Sequence, residues 1–411
     1  MSGTLPGELP LDGIRVVEFS HVVMGPACGL VLADLGAEVI KVEPPAGDKT
    51  RTLGAASAGV FTTYSRNKRG VAVDVRSPAG LAFVKRLVAE ADVLIENFRP
   101  GSLDAVGLGY DALSAEMPRL VYCSLKGFLS GPYEQRVALD EVVQMMGGLA
   151  YMTGPPGQPL RAGASVNDVM GAVFAAAAIV SALYERERTG VGKLVKAGLF
   201  ENNAFLVAQH MARFAITGVE PRPMPLREPG WGIYDIFETS DGERVFLAVV
   251  TDTQWRTFCA AFGLTELAAM ETLATNRLRV EARDWLLPRL ADALKLRTLD
   301  EICSLCEAVG AGFGPIRAPH ELFDDPHLAR PEARVDLTLE DGSATWLPAL
   351  PIELDGRRLR GRRDPPRLGE HTAEVAESLG YSAEEIAELI DAGVLAQAGE
   401  RGSRLGRAAQ R

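Results

Sequence analysis

"HVVMGPACGLVLADLGAEVIKVE", His21 to Glu43, follows the apolar run "IRVVEF" and decides the fold. It reads as a strand, a glycine turn, a helix and a second strand that closes on an acid. An acid about 20 residues beyond the glycines is the frame of a nicotinamide-binding unit. The glycines depart from it. A dinucleotide fingerprint needs G-x-G-x-x-G so that the backbone approaches a pyrophosphate at a helix N-terminus, whereas Gly25 and Gly29 are separated by "PAC". The frame predicts an α/β sheet and leaves its ligand to be read from the rest of the chain.

Outward from this stretch, "AEVIKVE", "GVAVDV", "ADVLIENF" and "LVYCSL" are further short β-branched runs, separated by helical or turn-rich sequence such as "AGLAFVKRLVAEA". Such alternation predicts an α/β fold with a parallel sheet covered by helices on both faces. Ligands bind at the carboxyl ends of its strands, which draws attention to His21, Glu43, Asn97, Phe98, Arg99 and the segment after Leu125. Helices are expected over Asp140–Met146 and from about Asp168 to just before Gly190. The apolar, small-residue stretch 169–183 predicts burial on all sides.

Residues 1–216 are expected to form the first part of a large domain and the proline-rich 217–227 a linker. "IYDIFETSDGERVFLAVV", with its "DG" turn, opens a small α+β domain over 228–320. A return linker and the end of the large domain follow over 321–398, with a hairpin-like "ARVDLTLEDGSATWLPALPIEL" and two terminal helices. The tail 399–411 is poor in apolar residues and is expected to be disordered.

With 411 residues, 47% hydrophobic and 24% charged, the chain has the composition of a globular enzyme of two or three domains. A formal charge of −11 excludes nucleic acid as the expected partner, since phosphate binding needs a basic surface. The N-terminus lacks a basic start before an apolar core, and the most apolar run, 169–183, is short for a bilayer, so a cytoplasmic protein without membrane contact is expected. Five scattered cysteines suit a reducing compartment, and "CSLC" at Cys303–Cys306 reads as a helical, partly buried pair rather than a metal site.

Asp168 stands at the first turn of a nearly uncharged helix, where backbone N–H groups and the helix dipole favour negative charge. An N-cap and a reactive carboxylate are both open readings there.

The motifs "LDGIRVVEFSHVVMGPACG", "NKRGVAVDVRSPAG", "ADVLIENFRPGSLDAVGLGYDAL", "QMMGGLAYMTG", "TGVGKLVKAGLFE" and "RRDPPRLGEHT" occur in the order that class III coenzyme A transferases show. The chain resembles this family, of CaiB/BaiF type, which includes formyl-CoA transferase. The resemblance implies that Asp168 attacks an acyl-CoA thioester and passes through an acyl-aspartyl anhydride and an aspartyl-CoA thioester. It implies CoA contacts at Arg51, Arg66, Asn67, Lys68, Asn97, Phe98 and Arg99, and over the segment from Val137 to Asp140. His21, Val23 and Met24 would line the pocket. Several relatives carry glutamine where Val23 stands, so another donor must serve the acyl group here. Ala105 replaces a phosphate-binding arginine. The small domain would bring a lid, reduced here to Gly230, Trp231 and Gly232.

Arg136 and Arg161 are candidates for the distal carboxylate of a C4 or C5 dicarboxylate such as succinate, mesaconate, citramalate or glutarate. Intramolecular transfer within one acid is an alternative. So is α-methylacyl-CoA racemisation, although racemases of this fold carry His-Asp where Leu139-Asp140 stands and leucine moves no proton. A non-catalytic CoA-binding protein is a third reading, opposed by the presence of Asp168 and the basic loops. The resemblance implies an interlocked homodimer with a Rossmann-like large domain built from both ends of the chain, with no metal and no permanently bound cofactor beyond the CoA thioester substrate.

Overall fold

Strand β1 (Arg15–Phe19) leads through the glycine turn into helix α1 (Met24–Asp34) and strand β2 (Glu38–Glu43), the order that the opening stretch predicts. The computed structural model describes residues 9–54 and 58–398. Helix α2 (Val60–Ser65), β3 (Lys68–Val73), α3 (Pro78–Ala89), β4 (Val93–Glu96), α4 (Tyr110–Glu116) and β5 (Val121–Lys126) follow. Then come α5 (Asp140–Met146), α6 (Leu149–Thr153), α7 (Val166–Thr189), β6 (Leu194–Gly198) and α8 (Leu199–Thr217).

The strands build a seven-stranded sheet in the order β14-β3-β2-β1-β4-β5-β6, where β14 (Leu395–Ala396) returns from the C-terminus. β1 to β6 are parallel, and β14 alone runs antiparallel, against β3. The order reverses between β1 and β4, and at such a switch point the two connections leave in opposite directions and open a crevice beyond the strand ends. Successive residues of β1 serve opposite cores. Val16 joins Met24 of α1 and Ala172 of α7 on one face, and Val17 joins Phe83 of α3 and Val375 on the other. Burial on both faces is why the strands read as continuous apolar runs.

Helix α7 departs from the expectation for 169–183. Ala172, Ala175, Ala176 and Ile179 are buried in the core shared with α1, while Val173, Phe174 and Val180 are exposed. With 3.6 residues per turn only one stripe faces inward; on the other, Phe174 meets Phe205 of α8 edge to face with ring centroids 5.6 Å apart, and Val173 and Val180 stay exposed. The helix is 24 residues long and apolar enough to span a bilayer by length and composition, which the run 169–183 did not predict, but its inward stripe belongs to the core of the sheet. β6 and α8, within "TGVGKLVKAGLFE" and beyond it, had no counterpart in the sequence reading.

The chain divides into two units, residues up to Pro225 together with those from Arg330, and Leu226–Ala329. The second has an antiparallel sheet of β7 (Ile233–Glu238), β8 (Arg244–Val249) and β9 (Gly312–Pro315). Helices α9 (Asp252–Phe262), α10 (Thr265–Ala268), α11 (Asn276–Glu281), α12 (Arg283–Leu294) and α13 (Leu299–Val309) cover it around Trp255, Phe258 and Leu290. Cys306 is buried on α13 and Cys303 half-buried, and burial pushes the Cys306 thiol up to about 12. Among the described residues no cluster of His, Cys, Asp and Glu could hold a metal ion. The returning chain forms a hairpin of β10 (Arg334–Thr338) and β11 (Ala344–Pro348), a short pair β12 (Glu353–Leu354) and β13 (Arg357–Arg358), and helices α14 (Thr372–Ser378) and α15 (Ala383–Asp391). The tail 399–411 lies outside the described residues.

Candidate active site

Asp168 is the third residue of α7, and a different residue caps that helix. Ser165, at the N-cap, makes no side-chain cap bond. Asp140, at the start of α5, takes the role from across the loop: its Oδ1 accepts the backbone N–H of Asn167 at 2.8 Å and of Asp168 at 3.2 Å. Gln144 also donates to the Asp140 carboxylate and accepts the N–H of Ala162 at 2.8 Å, which ties the loop before α7 to α5. The N-cap reading of Asp168 is therefore corrected, because Asp140 already satisfies the orphan N–H groups. Among the described residues nothing donates a hydrogen bond to the Asp168 carboxylate itself. Burial, and then the neighbouring Asp140 charge, raise it from 3.8 to about 7, with the Arg161 guanidinium opposing. The pKa of half-buried Tyr64 is raised by burial and by the same Asp168 charge, which brings α2, unmarked in the sequence, to the site. A carboxylate that is uncommitted, partly desolvated and held on a rigid helix is a more basic nucleophile than one in water.

His21 and Asn97 follow β1 and β4, the two strands of the switch point. Asn97 Oδ1 accepts the backbone N–H of His21 at 2.9 Å and lies 2.9 Å from its Nδ1, while Asn97 Nδ2 donates to the His21 carbonyl at 2.8 Å. This set makes Nδ1 the protonated nitrogen of the neutral ring and leaves Nε2 as an acceptor. Phe98 stacks on the imidazole, with ring centroids 5.3 Å apart. The next residue, Val22, holds φ at +63°, a left-handed conformation in which a β-branched side chain is strained by about 1–3 kcal/mol. Val23 and Met24 are buried in the first turn of α1, and Met24 presses on α7 so closely that a Cβ at Gly171 would stand 2.5 Å from its Cε. The loop thus reaches the helix of Asp168 one turn past that residue.

Several predicted CoA contacts have other work. Lys68 is fully buried, and its Nζ donates to Glu18 Oε2 at 2.6 Å and to the Pro26 carbonyl at 2.8 Å. Arg66 pairs with Asp34 at 2.8 Å. Asn67 donates to the same carboxylate at 2.7 Å and accepts the N–H groups of Arg362 and Arg363. Arg51 is bidentate on Glu43, at 2.8 and 2.7 Å, and lies 3.8 Å over the Phe61 ring. The structure corrects the assignment of Arg66, Asn67 and Lys68 to the ligand: they are buried and committed to internal partners, because the entry into β3 lies beside the end of α1, which carries Asp34, and Lys68 on β3 reaches Glu18 on β1. Asp140 is corrected likewise, since both of its oxygens are occupied.

Arg99 remains exposed and lines a cavity of about 260 Å³ beyond β4 and β5, together with Tyr122, Ser124, Lys126 and Lys196. Lys126, the first residue of the segment after Leu125, bonds Glu96 and the Phe98 carbonyl at 2.7 Å and so anchors the His21 stack. Val137 is 65% exposed, and Arg136 lies 4.0 Å over the exposed Tyr133 ring. Arg161 donates to the Ala162 carbonyl at 3.1 Å and stands 3.5 Å from Glu141. Gly230 and Trp231 belong to the second unit, where Asn276 donates to the Gly230 carbonyl and Trp231 packs on Tyr234 with centroids 5.0 Å apart.

The chain is similar along most of its length to known proteins. Succinate–glutarate CoA-transferase of Agrobacterium fabrum is 37% identical over 384 residues, covering 90% of this chain and 96% of that protein. Human succinyl-CoA:glutarate CoA-transferase is 32% identical, covering 94% and 90%. The crystal structure of a CAIB/BAIF family protein from Brucella suis superposes with a TM-score of 0.82 at 36% identity, covering 90% of this chain and 99% of that one. The pattern of CoA-transferase family III matches residues 11–372. The chain with Asp168 on its capped helix and His21 at the switch point belongs to CoA-transferase family III.

Proposed function

We propose that this chain moves coenzyme A from succinyl-CoA to a C4 or C5 dicarboxylate such as glutarate, with Asp168 as the covalent relay. The observation that carries the reading is the Asp168 carboxylate, which no donor among the described residues occupies, on a helix that Asp140 caps in its place. The relatives named for succinate and glutarate support the acid class.

Ionised Asp168 attacks the thioester carbonyl, and CoA thiolate leaves as the acyl-aspartyl anhydride forms. The thiolate attacks the aspartyl carbonyl, giving an aspartyl-CoA thioester and releasing succinate. The acceptor carboxylate attacks that thioester and forms a second anhydride with loss of thiolate. Thiolate then attacks the acceptor's acyl carbon and frees Asp168. Every step exchanges one acyl bond for another, so no redox partner is required. The amides opening α1 at Met24 and Gly25 have no partner within that helix and, with the His21 loop, are suited to hold the oxyanion where Val23 cannot. The exposed Arg99 beyond β4 suits a CoA phosphate, and Arg161 suits the distal carboxylate of the acid.

The exposed apolar face of α7, with Phe205, Phe214 and Ile216 of α8, suits burial in a homodimer. Purified protein mixed with succinyl-CoA and quenched should carry CoA or succinyl mass on the Asp168 peptide and should form glutaryl-CoA when glutarate is added. Exchange of the α-proton in deuterated water with no adduct would replace the reading by racemisation.

A further inference from the structure

Under the His21 loop lies a group of charges that no ligand can touch. Glu18 of β1, Lys41 of β2 and Lys68 of β3 are each fully buried, side by side on adjacent strands. Glu18 Oε2 takes Lys68 at 2.6 Å, and Glu18 Oε1 accepts the Ser20 hydroxyl at 2.7 Å and lies 3.6 Å from Lys41. Lys41 is balanced on its far side by Asp48 at 3.0 Å. Each ammonium also takes one backbone carbonyl: Lys41 that of Ser20 at 2.7 Å, and Lys68 that of Pro26 at 2.8 Å. Those carbonyls flank left-handed Val22, that of Ser20 just before the loop and that of Pro26 in the first turn of α1. The seat is tight, since a Cβ on Gly29 would stand 1.8 Å from Glu18 Oε2 and 3.0 Å from Lys68 Nζ.

Buried ion pairs are a poor source of net stability, because desolvation offsets much of their attraction, and an apolar replacement is often no worse. What this cluster supplies that an apolar core would not is two directed bonds to the loop, strong because the donors are charged. A strained conformation persists only where its surroundings over-determine it, and these bonds do so for Val22.

We propose that Lys41 and Lys68, anchored on Glu18, are positioning residues that hold the segment from Ser20 to the first turn of α1, and with it His21, in the shape that receives the acyl-CoA thioester. The inference rests on the transferase reading of Asp168. The test compares the double variant K41M/D48N, which removes a charge and its counter-charge together, with Asp34→Asn, which cuts a buried pair at the opposite end of α1. Amide exchange over residues 21–25 should quicken at least tenfold in K41M/D48N and stay unchanged in Asp34→Asn. The kcat/KM for succinyl-CoA should fall at least tenfold in the first and stay within twofold in the second at matched thermal stability. Lys41→Arg, which keeps a charged donor, should restore loop protection relative to Lys41→Met. Equal exchange and equal kcat/KM in the two buried-pair variants would overturn the proposal. A wild-type chain with neither CoA transfer nor an Asp168 adduct would overturn the transferase reading, while the exchange comparison would still decide whether the lysines hold the loop.

Discussion

Asp140 caps the helix of Asp168: one carboxylate oxygen receives the N–H groups of Asn167 and Asp168, at 2.8 and 3.2 Å. The contact releases Asp168 from capping and at the same time sets a negative charge beside it, which helps to raise its pKa to about 7. One residue therefore leaves the proposed nucleophile both uncommitted and more basic.

Asp168→Asn should abolish CoA transfer and the covalent adduct while leaving the fold intact. Its effect on stability follows from linkage. Folded Asp168 titrates near 7 and the unfolded carboxyl near 3.8, so between these values the folded chain holds a proton that the unfolded chain has lost. That contribution is complete below about pH 4 and is lost as pH rises through 7. At pH 8 the amide variant should be more stable than wild type by about 1–3 kcal/mol, with the difference vanishing near pH 4, as thermal unfolding at the two pH values would show.

The kcat/KM for succinyl-CoA should rise with pH through about 7 as Asp168 ionises. Asp140→Asn keeps an oxygen acceptor for the cap and deletes the charge, so the midpoint of the profile should move to lower pH. An unmoved midpoint would show that Asp140 does not act on the titrating group.

Arg161 and Arg136 make different commitments. Arg136 lies over Tyr133, whereas Arg161 opposes the raised pKa of Asp168. Arg161→Met should raise KM for glutarate by about tenfold or more, the loss of a charged hydrogen bond worth about 1.5–3 kcal/mol, and should change KM for a monocarboxylate far less. Arg136→Met should change the two alike.

Asn97→Ala removes three contacts to His21 and should destabilise the chain by about 1–3 kcal/mol. It should also lower kcat/KM for succinyl-CoA by about tenfold, since the loop loses its tie to β4. Denaturant unfolding and steady-state rates measure the two effects separately.

Gly29→Ala should cost more than the usual alanine gain in a helix. The new Cβ meets a carboxylate fixed by Lys68 and Ser20 that has nowhere to move, so a loss of about 3 kcal/mol or more is expected in thermal unfolding.

By itself the sequence determined the alternation of strand and helix from β1 to β5, because apolar period and turn residues are local properties. It determined the helix that begins beside Asp168, the "DG" hairpin of β7 and β8, and the motif order that marks the family. It did not determine the partners of the polar groups at the strand ends. "TYSRNKRG" reads as a free basic loop in one dimension, yet Arg66 and Asn67 find Asp34 only when α1 packs beside the entry to β3, and Lys68 finds Glu18 only when β3 and β1 share a sheet. Glu18 and Lys41, lone charges in apolar strands, were visible signs of that network, but their meeting depends on strand order. The cap on Asp168's helix likewise comes from Asp140, 28 residues upstream, and a contact at that separation exists only after packing brings α5 and α7 together. Tertiary structure alone decided which charges were neutralised inside the protein and which, the Asp168 carboxylate and the exposed Arg99 side chain among them, were left without a hydrogen-bonded partner among the described residues.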